Sequence, residues 1–273
     1  MPHMRRIWTA MLTRNVSQSA TDSRPVLIMN EDGFDRLHHT FGETPQDDQE
    51  QGEANLYEVS VASQRITPEN LNNSSIRMGI RGDDAWRPEH ILVWGERFTG
   101  GSIVPIAVET GLTTTLSTDA SEGRLSVPLR KVALGLSTMP IRRLLVLMTT
   151  SNQRNAGTNS TIELQIRSGT NLVVSSRIPD TPQSDQERAQ ANLYFVSVSA
   201  PFTKRSLTDS SMRLSIQGTD AWLPASFFVF GLDDASGRPE SMVPLVHFRT
   251  WPFRQLSTDS GEGVASVTLP LAL

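Results

Sequence analysis

The chain has 273 residues, 37 % of them hydrophobic, and a net charge of -4, so it is long enough to bury one large core or two ordinary ones. No apolar run approaches the roughly 20 residues of a membrane-spanning helix, and acidic and basic residues are mixed along the length instead of forming the basic face of a nucleic-acid binder. The absence of cysteine excludes disulfides, thiol nucleophiles and thiolate metal sites.

The apolar run 7–12 falls short of a signal-peptide core of about 7–15 residues, and no small-residue cleavage site follows, so cytoplasmic synthesis without conventional export is expected. A first strand is predicted over 6–12, a polar loop over 15–23 and a second strand over 25–29. A polar linker over 42–53 leads into Ala54-Asn55-Leu56-Tyr57-Glu58-Val59-Ser60-Val61, where alternation puts Tyr57, Val59 and Val61 on one core-facing side. Thr67-Pro68-Glu69 has the form of a helix N-cap with proline at the first helical position, which predicts one short helical turn.

Ile76, Met78 and Ile80 then alternate with Arg77, Gly79 and Arg81, the period of a strand with one wet face. Gly82-Asp83-Asp84-Ala85-Trp86-Arg87-Pro88 ends that pattern. The apolar run Ile91-Leu92-Val93-Trp94 after it reads as a strand covered on both faces, or as an interface between repeats. Thr99-Gly100-Gly101-Ser102 precedes a strand and lacks the helix dipole that a phosphate loop uses, so it reads as a hairpin turn. Strands over 104–108 and 125–129, with Leu116-Ser117-Thr118-Asp119 and Gly123 forming a turn between them, complete the series.

The second half runs through the same series. Ala191-Asn192-Leu193-Tyr194-Phe195-Val196-Ser197-Val198 matches the earlier block at seven of eight positions with an offset of 137. Gly218-Thr219-Asp220-Ala221-Trp222-Leu223-Pro224 repeats the glycine–tryptophan segment before Phe227-Phe228-Val229-Phe230, and Leu256-Ser257-Thr258-Asp259 with Gly263 repeats the closing turn. Arg142-Arg143-Leu144 matches Arg5-Arg6-Ile7, and Thr181-Pro182-Gln183 matches Thr44-Pro45-Gln46. Asp233-Asp234-Ala235-Ser236-Gly237 takes the place of the Gly-Gly hairpin turn. Offsets drift from 136 to 140, which places insertions in loops, where extra length costs little. Seven or eight short strands per unit with almost no helical periodicity predict an all-β protein: two tandem antiparallel β-sandwich domains related by internal duplication, over 1–137 and 138–273.

Trp86 and Trp222, between a strand and a proline-marked turn, read as core anchors beside Tyr57 and Tyr194. Asp84 and Asp220 are expected to hold their own turns by bonding backbone two residues on. The histidines are His3, His38, His39, His90 and His247. A zinc site needs three or four convergent ligands, adjacent histidines on an extended chain point apart, and His38-His39 reads as a loop feature of the first unit.

Ala156-Gly157-Thr158-Asn159-Ser160, an acidic linker, an aromatic strand and Gly-x-Asp-Ala-Trp before an apolar strand together resemble the PLAT/LH2 (lipoxygenase-homology) family over most of the second unit. The first unit has Ala20-Thr21-Asp22-Ser23, without the glycine. The resemblance implies eight-stranded sandwiches that dock to membranes or protein partners. It also implies loop-bound calcium, which would fall on Thr158, Asn159 and Asp220, and on Thr21, Asp22 and Asp84.

No set of nucleophile, base and acid is visible in either half. The expectation is a non-catalytic binding or scaffolding protein whose two sandwiches meet a protein, lipid or glycan partner, with no resident cofactor beyond calcium. The alternatives are a structural subunit of a larger assembly, such as a phage-like particle or a toxin complex, and a hydrolytic enzyme. The assembly reading takes Phe227–Phe230 and Trp251-Pro252-Phe253 as part of an apolar interface, and it allows a homo-oligomer.

Overall fold

The computed structural model describes residues 3–44, 48–178, 186–234 and 238–272. The Thr-Pro-Gln match beyond Thr44, most of the second acidic linker and the end of the Asp-Asp-Ala-Ser-Gly turn lie outside the described residues. The chain forms two compact units, Met1–Leu134 and Gly135–Leu273, and both are built from β-strands.

Unit one contains β1 (Met4–Thr13), β2 (Arg24–Glu31), β3 (Phe34–Thr40), β4 (Ala54–Ser60), β5 (Ile76–Arg81), β6 (Pro88–Arg97), β7 (Ile103–Glu109), β8 (Ser126–Pro128) and the two-residue β9 (Ala133–Leu134). Antiparallel pairing sets the order β7-β6-β1-β4 in one sheet and β3-β2-β5-β8 in a second. Both sheets feed one core, in which Ile7 and Met11 of β1 and Ile91 and Val93 of β6 meet Leu27, Met29, Ile76 and Met78 of the second sheet.

Unit two contains β10 (Ile141–Thr150), β11 (Thr161–Ser168), β12 (Asn171–Arg177), β13 (Ala191–Phe202), β14 (Met212–Gln217), β15 (Pro224–Leu232), β16 (Ser241–Phe248) and β17 (Ser266–Leu269). Its orders, β16-β15-β10-β13 and β12-β11-β14-β17, are those of unit one strand for strand, and all pairs are antiparallel. Register agrees as well: Thr9 lies opposite Tyr57 and Val93, and Val146 opposite Tyr194 and Val229.

The apolar runs behave as central strands. Ile91 and Val93 enter the core while Leu92 and Trp94 point to the opposite face, and all four are buried. Trp8 and Trp94, cross-strand partners, stack there with ring centroids 5.9 Å apart. Phe227, Phe228, Phe230 and Trp251 are likewise buried. Their bulk is used in packing, with Phe248, Trp251 and Phe253 meeting edge-on at 5.0 to 6.2 Å.

Two expectations are corrected. His38 and His39 lie within β3, not in a loop; β3 and its counterpart β12 have few buried apolar residues, so their alternation is hidden among polar ones. The turn at Pro68–Asn70 is a 3-10 turn that Thr67 precedes without capping it, the Thr67 hydroxyl instead meeting His3 Nδ1 at 3.0 Å. The matching turn Lys204–Ser206 does carry a capping box, with the Thr203 hydroxyl accepting from Ser206 N. No helix among the described residues is long and apolar enough to cross a membrane.

Candidate functional site

At one end of each unit the loop before the second strand is clasped to the glycine–tryptophan turn. In unit one the Ser23 hydroxyl accepts from Asp84 N at 2.9 Å, and Ser23 N donates to Thr21 Oγ1 at 3.0 Å. Asp84 Oδ2 accepts from Asp22 N at 3.2 Å and Oδ1 from Ala85 N at 3.0 Å. In unit two Asp220 N donates to Ser160 Oγ at 3.0 Å, Ser160 N to Thr158 Oγ1 at 3.0 Å, and Asn159 N to Asp220 Oδ2 at 3.1 Å. Asp84 and Asp220 thus bridge two loops; neither bonds backbone two residues on, where the Trp86 and Trp222 amides donate to Leu116 O and Leu256 O, each at 2.8 Å.

Glycine is required at the turn. Gly82 has φ +142 and Gly218 φ +139, and a Cβ at either would collide with the serine of the clasp. The Thr118 and Thr258 hydroxyls then close the closing turn onto Gly82 O and Gly218 O, each at 2.6 Å. Trp86 and Trp222 are fully buried beneath this arrangement, their indole N–H groups donating to Thr13 Oγ1 at 3.0 Å and Thr150 Oγ1 at 2.9 Å.

Beside the clasp lies a second polar network that sequence reasoning missed. Buried Asp48 accepts from Tyr57 OH at 2.8 Å, Asn55 Nδ2 at 3.0 Å and Thr44 N at 2.6 Å. Gln49, held at φ +58, donates its backbone N to Asn55 Oδ1 at 2.9 Å and its amide to Tyr57 OH at 2.5 Å. Gln186, at φ +60, repeats both contacts with Asn192 Oδ1 at 3.1 Å and Tyr194 OH at 2.7 Å. Burial first, and then the Asp48 charge, push the Tyr57 phenol well above its ordinary value. The available signal was the recurrence of Asn one residue into the Ala-Asn-Leu-Tyr block, a polar residue at a strand position that is buried in both copies.

Each clasp borders a polar pocket. The one in unit one, about 140 Å³, is lined by Thr21, Asp22, Ser23, Arg24, Glu43 and Asp48 among others, and the one in unit two, about 360 Å³, by Asn155, Thr158, Asn159, Glu187, Arg188 and Asp220. The structure therefore brings Thr21, Asp22 and Asp84 together, and Thr158, Asn159 and Asp220 together. Calcium takes six to eight oxygens. Here the threonine hydroxyls and the Asp84 and Asp220 carboxylates already accept backbone N–H groups, only one or two carboxylates stand in each cluster, and no group of three or more acidic or histidine ligands occurs among the described residues.

The histidines do not converge either. His39 packs edge-on to Phe41 at 5.2 Å and His247 to Phe228 at 4.9 Å; burial lowers the basicity of both, that of His247 to about 4. His90 Nδ1 accepts from Gly111 N at 3.2 Å.

What both units retain at this end is a frame. The Thr, Ser, Asp, Gln, Asn and Tyr side chains common to both are engaged inside their own unit, whereas the pocket-lining Asp22 and Arg24 are replaced by Asn159 and Thr161. No family model, curated protein or solved structure matches the chain.

Proposed function

We propose that the chain is a non-catalytic binding or scaffolding protein, made of two antiparallel β-sandwich domains that arose by internal duplication, whose variable loops and strand ends meet a partner. The observation that carries this reading is the use of the repeated polar groups. Thr21 and Thr158, Ser23 and Ser160, Asp84 and Asp220, and Gln49 and Gln186 all spend hydrogen bonds on loop geometry. An active site kept through duplication would instead hold a convergent acid, base or nucleophile facing a cleft.

Duplication is supported by strand order, by register and by the recurrence of left-handed backbone at Gln18 and Asn155, Gln49 and Gln186, and Gly82 and Gly218. Within each unit eight strands pair in two rows of four, which also agrees with the eight strands that the PLAT/LH2 resemblance implies. The partner is a protein, a lipid surface or a glycan, and the chain contacts it without converting it. Purified chain presented with candidate substrates and partners should bind without turnover. Turnover abolished by one polar substitution that leaves the melting temperature unchanged would overturn the reading.

A further inference from the structure

We propose that the tip of the β2–β3 hairpin in unit one docks into an apolar pocket, bordered by basic side chains, on a protein partner. This rests on the contact reading above and names the surface that the partner offers.

Asp32 at φ +53 and Gly33 at φ +80 are consecutive left-handed residues, and Glu31 pairs with Phe34 across them. That is a two-residue type I′ hairpin, for which Asp-Gly is a preferred sequence. Phe34 follows the turn and is 65 % exposed. The fold does not require an aromatic there: in unit two the equivalent hairpin closes with Ser168 opposite Asn171 around Gly169 and Thr170.

The tip is braced from below. The Arg36 guanidinium lies 5.5 Å from the Phe34 ring centroid, and Arg36 Nε is 3.5 Å from Glu31 Oε2. Buried Glu31 also accepts from Asn70 Nδ2 at 2.7 Å. Asn70 belongs to the 3-10 turn whose Glu69 pairs with Arg97, the neighbour of Phe98, which is likewise 65 % exposed at the β6–β7 tip. One turn therefore ties together two hairpins that each present a phenylalanine to solvent. A braced aromatic loses little freedom on binding, and a convex bulky side chain fits a concave apolar recess.

Charge selects the surroundings of that recess. Arg36 is matched by Glu31 and Arg97 by Glu69, while Asp32 and Asp35 are exposed and have no cationic partner among the described residues. The outward charge at the tip is negative, which favours a basic rim and opposes an anionic lipid surface.

The test places the photo-crosslinker benzoylphenylalanine at position 34 and, separately, at 171 in the full chain. After irradiation in the cells that make the protein, the adduct is identified and its attachment point mapped. The expected result is an adduct from 34 but not 171, attached in an apolar pocket flanked by Arg or Lys. The purified partner should then bind Phe34→Asn about tenfold or more weakly. The Asp32→Asn/Asp35→Asn chain should lose most of the salt dependence of binding, with melting temperatures unchanged. Equal adducts at both positions, a recess without a basic rim, or unaltered binding of Phe34→Asn overturns the proposal. So does binding to phosphatidylserine vesicles that Phe34→Asn abolishes, which would assign the tip to a membrane. Each of these leaves the contact reading standing, whereas single-residue turnover removes that reading itself.

Discussion

His247 makes the stability of unit two sensitive to mild acid. On β16 its ring meets Phe228 edge-on at 4.9 Å, and burial lowers its basicity from 6.5 to about 4. Between those values the unfolded chain takes up a proton that the folded chain refuses, so stability falls as pH drops below about 6.5 and levels off below about 4. Going from about pH 7 to about pH 4.5, the loss from this group works out at about 2 kcal/mol, with partial solvent access allowed for. His247→Gln has no proton to gain. Urea unfolding of wild type and variant at both pH values isolates the group, because the carboxylates titrate alike in the two chains. With a slope of about 2 kcal/mol per molar, the wild-type midpoint should fall by about 1 M more than that of the variant. Equal falls would show that the ring reaches water freely in the native state and would refute the argument.

Gly218→Ala should destabilise by about 2 kcal/mol or more, since φ +139 strains any L side chain and the new Cβ meets Ser160; thermal unfolding measures it. Thr9→Val should stabilise by about 1 kcal/mol in the same assay, because the Thr9 hydroxyl is buried without a hydrogen-bond partner and Val146 stands at the matching position of unit two. Tyr57 should stay protonated in the folded state well above the ordinary phenol range. Stability should then fall as pH rises above about 10, where only the unfolded phenol ionises, and ultraviolet titration of Tyr194→Phe reports it. The melting temperature should be unaffected by about 1 mM calcium or by chelator, whereas a rise would place a metal site at the clasps after all.

The strands with one wet face were legible because alternation survives where a single side is buried, as at Ile76, Met78 and Ile80. The central strands were legible because Ile91 to Trp94 leaves no polar position for water. The edge strands β3 and β12 were not, since an edge buries too little for a pattern to form: in β3 only Leu37 is buried. At the site, repetition singled out Asp84, Asp220 and the tryptophans but not what the aspartates hold, because their donors sit about 60 residues away in sequence, at Asp22 and Asn159.

Sequence alone determined that the chain is β-rich, that its two halves share one order of residues, and which residues recur; those facts are local, written in alternation and spacing. Tertiary structure decided which recurring polar groups are free and which are consumed. A hydroxyl or carboxylate shows its chemistry in the sequence, but the amide that satisfies it comes from another loop, and only folding brings the two within hydrogen-bonding distance.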